Sequence, residues 1–179
     1  MMSDLGERSQ RVISVMGGIG GLSHLRVDQL HRVPLGLLRE GTYGRHGVCR
    51  FKRGSKIPLG PLSVRCIEIH PLLLTEEWSR YADFVLYHEF LHALLPVAGH
   101  GPGFRALESL WPDEGADAMG NGFSDLIRER RADILKWELH CRKCGWKYLR
   151  KKPMVGGRCV KCKTALENTE RKPVSTGFL

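Results

Sequence analysis

YADFVLYHEFLHALLPVAGHGPGFRALESLW (residues 81–111) is the stretch from which the rest of the chain can be read. One apolar stripe runs through Phe84, Tyr87, Leu91 and Leu94. A second runs through Tyr81, Val85, His88, His92 and Leu95. Two stripes at three- and four-residue spacing predict a helix buried on most sides. Thr75 is the expected N-cap, Glu76 and Glu77 suit the first turn, and Pro96 ends the helix near Leu95. A further helix is predicted over Gly103–Trp111, stopped by Pro112.

Within the first helix, His88-Glu89-Phe90-Leu91-His92 forms an H-E-x-x-H sequence. Residues four apart stack on one helical face, so the two imidazoles can grip one Zn²⁺ at about 2.0–2.1 Å each. Glu89 lies about 100° further round the helix. Its carboxylate then sits beside the metal, where it can take a proton from water as general base. A catalytic zinc usually has three protein ligands and an open position. His100 is the best third ligand, because Pro96 ends the helix and Gly99, Gly101 and Gly103 permit a tight reversal. Glu108 competes for that place, or else orients a histidine from behind. His100 follows His92 by eight positions rather than six, which disfavours the metzincin pattern.

Upstream, Arg11–Met16 (RVISVM) reads as a short strand broken by Gly17–Gly21, a run that does not fit G-x-G-x-x-G. Val48–Lys52 and Val64–Ile69 read as strands joined by a Gly/Pro-rich connection, forming a long hairpin. Val64–Ile69 is the candidate exposed edge for holding an extended peptide by strand addition. Cys49 and Cys66 fall in these strands as small buried apolar residues. His24, His31, His46, His70 and His140 are scattered and receive no ligand role. A last helix is expected from a Ser124 N-cap to about Trp137, with a domain boundary there.

Cys141-x-x-Cys144 and Cys159-x-x-Cys162, separated by 14 residues, read as a Cys₄ zinc ribbon over 137–168, followed by a flexible tail over 169–179. Four thiolates leave no open position, so this second zinc is structural. Gly145 follows the first knuckle where a left-handed residue is favoured. Lys163 occupies the matching place after the second. Residues 1–140 hold 17 Lys/Arg and 17 Asp/Glu. Residues 141–179 hold 11 Lys/Arg against Glu167 and Glu170, so the whole net charge of +9 lies there. That density points to phosphate-bearing partners, DNA first among them. Candidate contacts are Arg142, Lys143, Lys147, Arg150, Lys151, Lys152, Arg158 and Lys161, with Trp146 and Tyr148 able to stack on bases or to pack under the ribbon. No run of apolar residues is long enough for a membrane span, and no secretory leader is apparent. An intracellular protein with reduced or metal-bound cysteines is therefore expected.

The stretch YHEFLHALLPVAGHGPGFRALESL resembles the SprT-like zinc metalloproteases, the family that includes Spartan. His88, Glu89, His92 and His100 match its pattern, as do Gly101, Pro102 and Phe104 of the following turn. The preceding CIEIHPLLL, residues 66–74, resembles the family's strand leading to the active-site helix, and the likeness extends over roughly residues 45–166. Such proteins often carry a zinc ribbon after the protease domain. The resemblance implies an α+β fold of zincin type over 1–136, with a three-histidine zinc site in which Glu89 is catalytic. It also implies cleavage of proteins bound or crosslinked to DNA. The residues alone leave two other readings open. One is a metal-dependent hydrolase of a non-protein substrate. The other is a nucleic-acid-binding module in which His88, His92 and His100 hold a structural metal.

Overall fold

The computed structural model describes residues 4–39 and 41–171. It is mixed α and β, with two small sheets, and its contacts divide it into two compact units, Met1–Ser124 and Asp125–Leu179. The division falls inside a helix, ahead of residue 137 where the second unit's first strand begins.

In the first unit the segment expected as a strand at Arg11–Met16 lies within helix α1 (Leu5–Gly18). Asp4 caps it, its carboxylate accepting from the Gly6 N–H at 2.8 Å. Val12, Ile13 and Met16 are buried at helical spacing, and this packing overrides the strand preference of their β-branched neighbours. Arg8 is only 2% exposed. A buried guanidinium is costly unless paired, and Arg8 donates to the Asp83 carboxylate and the Ser79 carbonyl, each at 2.6 Å.

Strands β1 (Leu35–Leu37), β2 (Gly47–Phe51) and β3 (Val64–Ile69) form one sheet in the order β1-β3-β2. β2 and β3 pair antiparallel across the Gly/Pro-rich connection, with Cys49 opposite Ile67. β1 is parallel to β3. β3 is therefore central, and the expectation that Val64–Ile69 is an edge strand is overturned. A partner occupies each of its sides, and β1 and β2 are the edges.

Helix α2 (Ser79–Leu94) packs on β2 and β3. Ala82, Leu86, Phe90 and Ala93 of the helix are fully buried, as are Ile67 and Ile69 of the central strand. Burial of each large apolar side chain contributes about 1.5–3 kcal/mol. Thr75 does not cap α2 with its side chain. It precedes a 3₁₀ turn, Glu76–Trp78, and its hydroxyl donates instead to the Leu72 carbonyl. α3 (Pro102–Glu108) and α4 (Met119–Ile134) follow. α4 begins five residues before the expected Ser124 cap. Ser124 lies inside the helix and donates to the Gly120 carbonyl at 2.9 Å. Cys49 and Cys66 are half-buried rather than fully enclosed.

In the second unit, β4 (Trp137–His140) lies between β5 (Lys147–Arg150) and β6 (Glu167–Glu170), both antiparallel to it. β6 carries the ordered strand two residues into the stretch expected as a tail. Beyond it Arg171 donates its N–H to the Lys136 carbonyl at 2.8 Å, and 172–179 lie outside the described residues.

No helix among the described residues is long and apolar enough to cross a membrane.

Candidate metal centres and their surroundings

His88 and His92 project from one face of α2, and the turn after the helix returns His100 to them. The Leu95 N–H closes the helix on the Leu91 carbonyl, and Gly99 takes φ +129°, a conformation that disfavours a side chain. The three Nε2 atoms form a near-equilateral triangle with sides of 3.2, 3.0 and 3.1 Å. Three mutual hydrogen bonds cannot explain it, since a ring nitrogen either donates or accepts. The donor set suits a cation instead. Nitrogens about 2.0–2.1 Å from one tetrahedral metal lie roughly 3.3 Å from each other. The group can therefore hold a metal ion.

Burial pushes His92 down to about 4, with His88 and His100 adding to the effect, so the ring stays neutral with a lone pair free. Phe104 of α3 packs against all three rings, at centroid distances of 5.0, 4.5 and 4.8 Å. Glu108 is not among the three converging donors. Its Oε1 lies 2.6 Å from His88 Nδ1, on the far side of the ring, while Arg105 donates to its Oε2 at 2.7 Å. Burial acts to raise the Glu108 carboxyl, but hydrogen bonds from Arg105 and His88 hold it below its ordinary value. An ionised Glu108 fixes His88 with Nδ1 protonated and Nε2 free to ligate.

Glu89 is 6% exposed. Burial raises it to about 7, with the Cys49 backbone N–H donating to it and pulling the other way. The donor comes from the open side of β2. His70 donates to the His46 carbonyl at 2.7 Å and Lys52 to the Ser63 carbonyl at 2.8 Å, so residues 46, 48 and 50 bond inward to β3. Gly47 and Cys49 consequently turn their backbone groups away from β3. A Cβ at Gly47 would meet Glu89 Oε1 at 2.8 Å and Val85 Cγ1 at 2.8 Å, so glycine is required for β2 to pass this close.

The cleft here, about 430 Å³, is lined by His46, Gly47, Tyr81, His88, Glu89 and Ser124 among others. His46, assigned no role from sequence, ties its walls together. Ser124 spends its proton on Gly120, so it accepts from His46 Nε2 at 3.0 Å. His46 Nδ1 is then the acceptor, and Tyr81 donates to it at 2.5 Å. Burial, with a further push from His70, lowers the His46 pKa and keeps this neutral tautomer. Partners 35 and 78 residues apart leave no sequence signal for the link. Tyr81→Phe strands a half-buried acceptor. A loss of about 1–3 kcal/mol is expected, read as a lower urea midpoint at constant slope. An unchanged midpoint would remove this network from the account.

Cys141, Cys144, Cys159 and Cys162 form the second group able to hold a metal ion. Sγ separations of 3.4, 3.5 and 3.8 Å are far beyond a disulfide and near the roughly 3.8 Å expected around one tetrahedral zinc. The knuckles are built alike. Gly145 N–H donates to the Cys141 carbonyl, and Lys163 N–H to the Cys159 carbonyl, both at 2.9 Å. Gly145 and Lys163 sit at φ 71° and 62°. Lys163 bears the left-handed strain that glycine escapes, so Lys163→Gly is expected to stabilise the ribbon by about 1 kcal/mol, seen as tighter metal retention against a competing chelator. Weaker retention would contradict this.

Trp146 and Tyr148 stack on one another, with ring planes 8° apart and centroids at 5.7 Å, and Tyr148 is 52% exposed. Arg142 pairs with Glu167 at 2.6 Å and Lys147 with Glu138 at 3.0 Å, so two of the expected cationic contacts already face carboxylates.

No protein-family model, curated protein or solved structure matches the chain. The reading of its chemistry rests on these two sites.

Proposed function

We propose that the chain is a zinc-dependent peptidase of SprT-like type, with a zincin-like arrangement around α2, acting on proteins held on DNA. One observation carries the reading most. Three Nε2 atoms converge beside a buried glutamate, and that glutamate is bonded to the open edge of a β-strand.

His88, His92 and His100 would hold the zinc, which when bound would supply the Lewis acidity that makes water a nucleophile at neutral pH. Glu89 accepts the proton of the attacking water and returns it to the leaving amine. Burial raises this carboxyl to about 7, and a dication on the three histidines would act to lower it. Glu108 holds the His88 tautomer, and Arg105 holds Glu108. The edge strand β2 aligns an extended peptide along the cleft by strand addition, the role first expected of β3. The four cysteines would hold a structural zinc that fixes the ribbon. Its exposed Tyr148, stacked on Trp146, and its cations then give bases and phosphates a surface.

The test is incubation of the purified chain with a DNA-binding protein, with and without single-stranded DNA. Cleavage that requires DNA is expected. Cleavage indifferent to DNA would keep the peptidase and sink the DNA link, and no cleavage in any arm would sink the peptidase.

A further inference from the structure

The first unit carries a second cleft, about 540 Å³, lined by Arg39, Thr42, Tyr43, Arg45, Arg50 and Arg65, with Glu68 the one acidic residue of its lining among the described residues. This concentration is unexpected on composition. Residues 1–140 balance 17 cations against 17 anions, yet four arginines converge here. Arg50 is taken up by its ion pair with Glu68. Arg39, Arg45 and Arg65 are exposed, and none has an ion pair or side-chain hydrogen bond among the described residues.

The cleft's position follows from the sheet. Ile67 and Ile69 of β3 point into the core against α2. Side chains alternate along a strand, so Glu68 and its partner Arg50 stand on the other face. The chain between β1 and β2 passes over that face and brings Arg39, Thr42, Tyr43 and Arg45 to it. Gly44 and Arg45 also line the cleft that holds His88 and Glu89, so the two hollows share a wall.

We infer that this arginine cleft binds phosphodiester groups of a nucleic-acid strand, as a site separate from the ribbon. Guanidinium is the side chain best matched to phosphate, offering a planar fork of donors and a charge that does not titrate. Among the described residues of the lining, the one carboxylate, Glu68, is paired with Arg50, which leaves the guanidiniums of Arg39, Arg45 and Arg65 to an incoming anion. A single phosphate needs fewer donors than three guanidiniums offer, whereas successive phosphates along a strand would use them all. The shared wall would then set a bound strand next to the hydrolytic cleft, within the first unit itself.

Binding is read by anisotropy of a labelled oligothymidylate across a salt series, using the whole chain with Glu89→Gln so that nothing is hydrolysed. The double substitution Arg39→Ala/Arg65→Ala should weaken binding about tenfold. It should also reduce the salt slope by about 1.4, at about 0.7 per phosphate contact on a single strand. Arg39→Lys/Arg65→Lys keeps the charges and should retain most of the slope, which separates lost contacts from lost structure. Unchanged affinity and slope in the alanine variant would overturn the inference. So would loss of binding confined to Lys143→Ala/Lys161→Ala in the ribbon, or an absence of binding by the parent chain. Inorganic pyrophosphate provides the last arm. If the alanine variant loses pyrophosphate binding but not oligonucleotide binding, the cleft takes small phosphates and the nucleic-acid assignment falls. No turnover is measured, so failure of the peptidase reading leaves these outcomes intact.

Discussion

Glu89→Gln is expected to lower peptide hydrolysis by about 10²–10⁴-fold, the usual contribution of a positioned general acid–base. Glutamine nearly preserves the volume of a side chain that is 6% exposed, so the fold should hold. Its carbonyl oxygen can still accept from the Cys49 N–H, so β2 should stay in place. The triangle of Nε2 atoms does not involve residue 89, and metal content at that site should be unchanged. The variant thus isolates proton transfer from folding and from metal binding. Metal content, the melting curve and turnover must be measured together. Full turnover in the variant would remove Glu89 from the chemistry. A simultaneous loss of metal would show that the glutamate supports the site instead of acting in it.

The larger structural effect is expected from the ribbon. Stripping its metal, or substituting Cys141→Ser, should unfold β4–β6 outright. Among the described residues of 137–171, the buried hydrophobic side chains are Leu139, Cys141 and Cys159, and two of these belong to the group that can hold a metal ion. Such a core cannot offset the conformational entropy of ordering some thirty residues at about 1.5 kcal/mol each. Zinc bound to a site of this kind contributes about 10–16 kcal/mol at neutral pH, and that free energy is folding free energy. The Thr164 hydroxyl, 3.4 Å from Cys162 Sγ, together with its backbone N–H, holds the Cys162 thiol down at about 6. Hydrogen exchange makes the outcome legible by segment. Amides of β4–β6 should lose protection after chelation while those of α2 keep theirs. Persistent protection in the ribbon with its metal gone would contradict the account.

What could be read from the chain beforehand depended on how local the signal was. The two stripes around His88 and Pro96 gave α2 because a buried helix writes its periodicity into consecutive residues. β3 matched its expected bounds, Val64–Ile69, for the same reason. The convergence of the four cysteines was legible because two knuckles of the same spacing need only one fold-back to meet. Failures came where tertiary partners decided. Val12, Ile13 and Val15 suggest a strand until α2 offers Asp83 and Ser79 to a buried Arg8. The start of α4 was hidden by Gly120 and Gly122, which argue against helix. Gly120 is there because the Tyr81 hydroxyl would stand 2.9 Å from any Cβ. The His46 link and the arginine cleft join segments distant in sequence, and no spacing rule reports on them.

The contact between Glu89 and the Cys49 N–H has a consequence for solubility. An outermost strand displays a row of unsatisfied amides, and any passing chain of similar shape can zip onto it, identical copies included. β2 carries little of the usual protection at that position: Gly47-Val48-Cys49 bears no charge and no proline. The glutamate occupies the Cys49 donor, so another backbone can pair with β2 only at the groups it leaves open. The residue proposed for proton transfer thereby also sets where along the border of the sheet another chain can pair, and shortening it to alanine would release that donor.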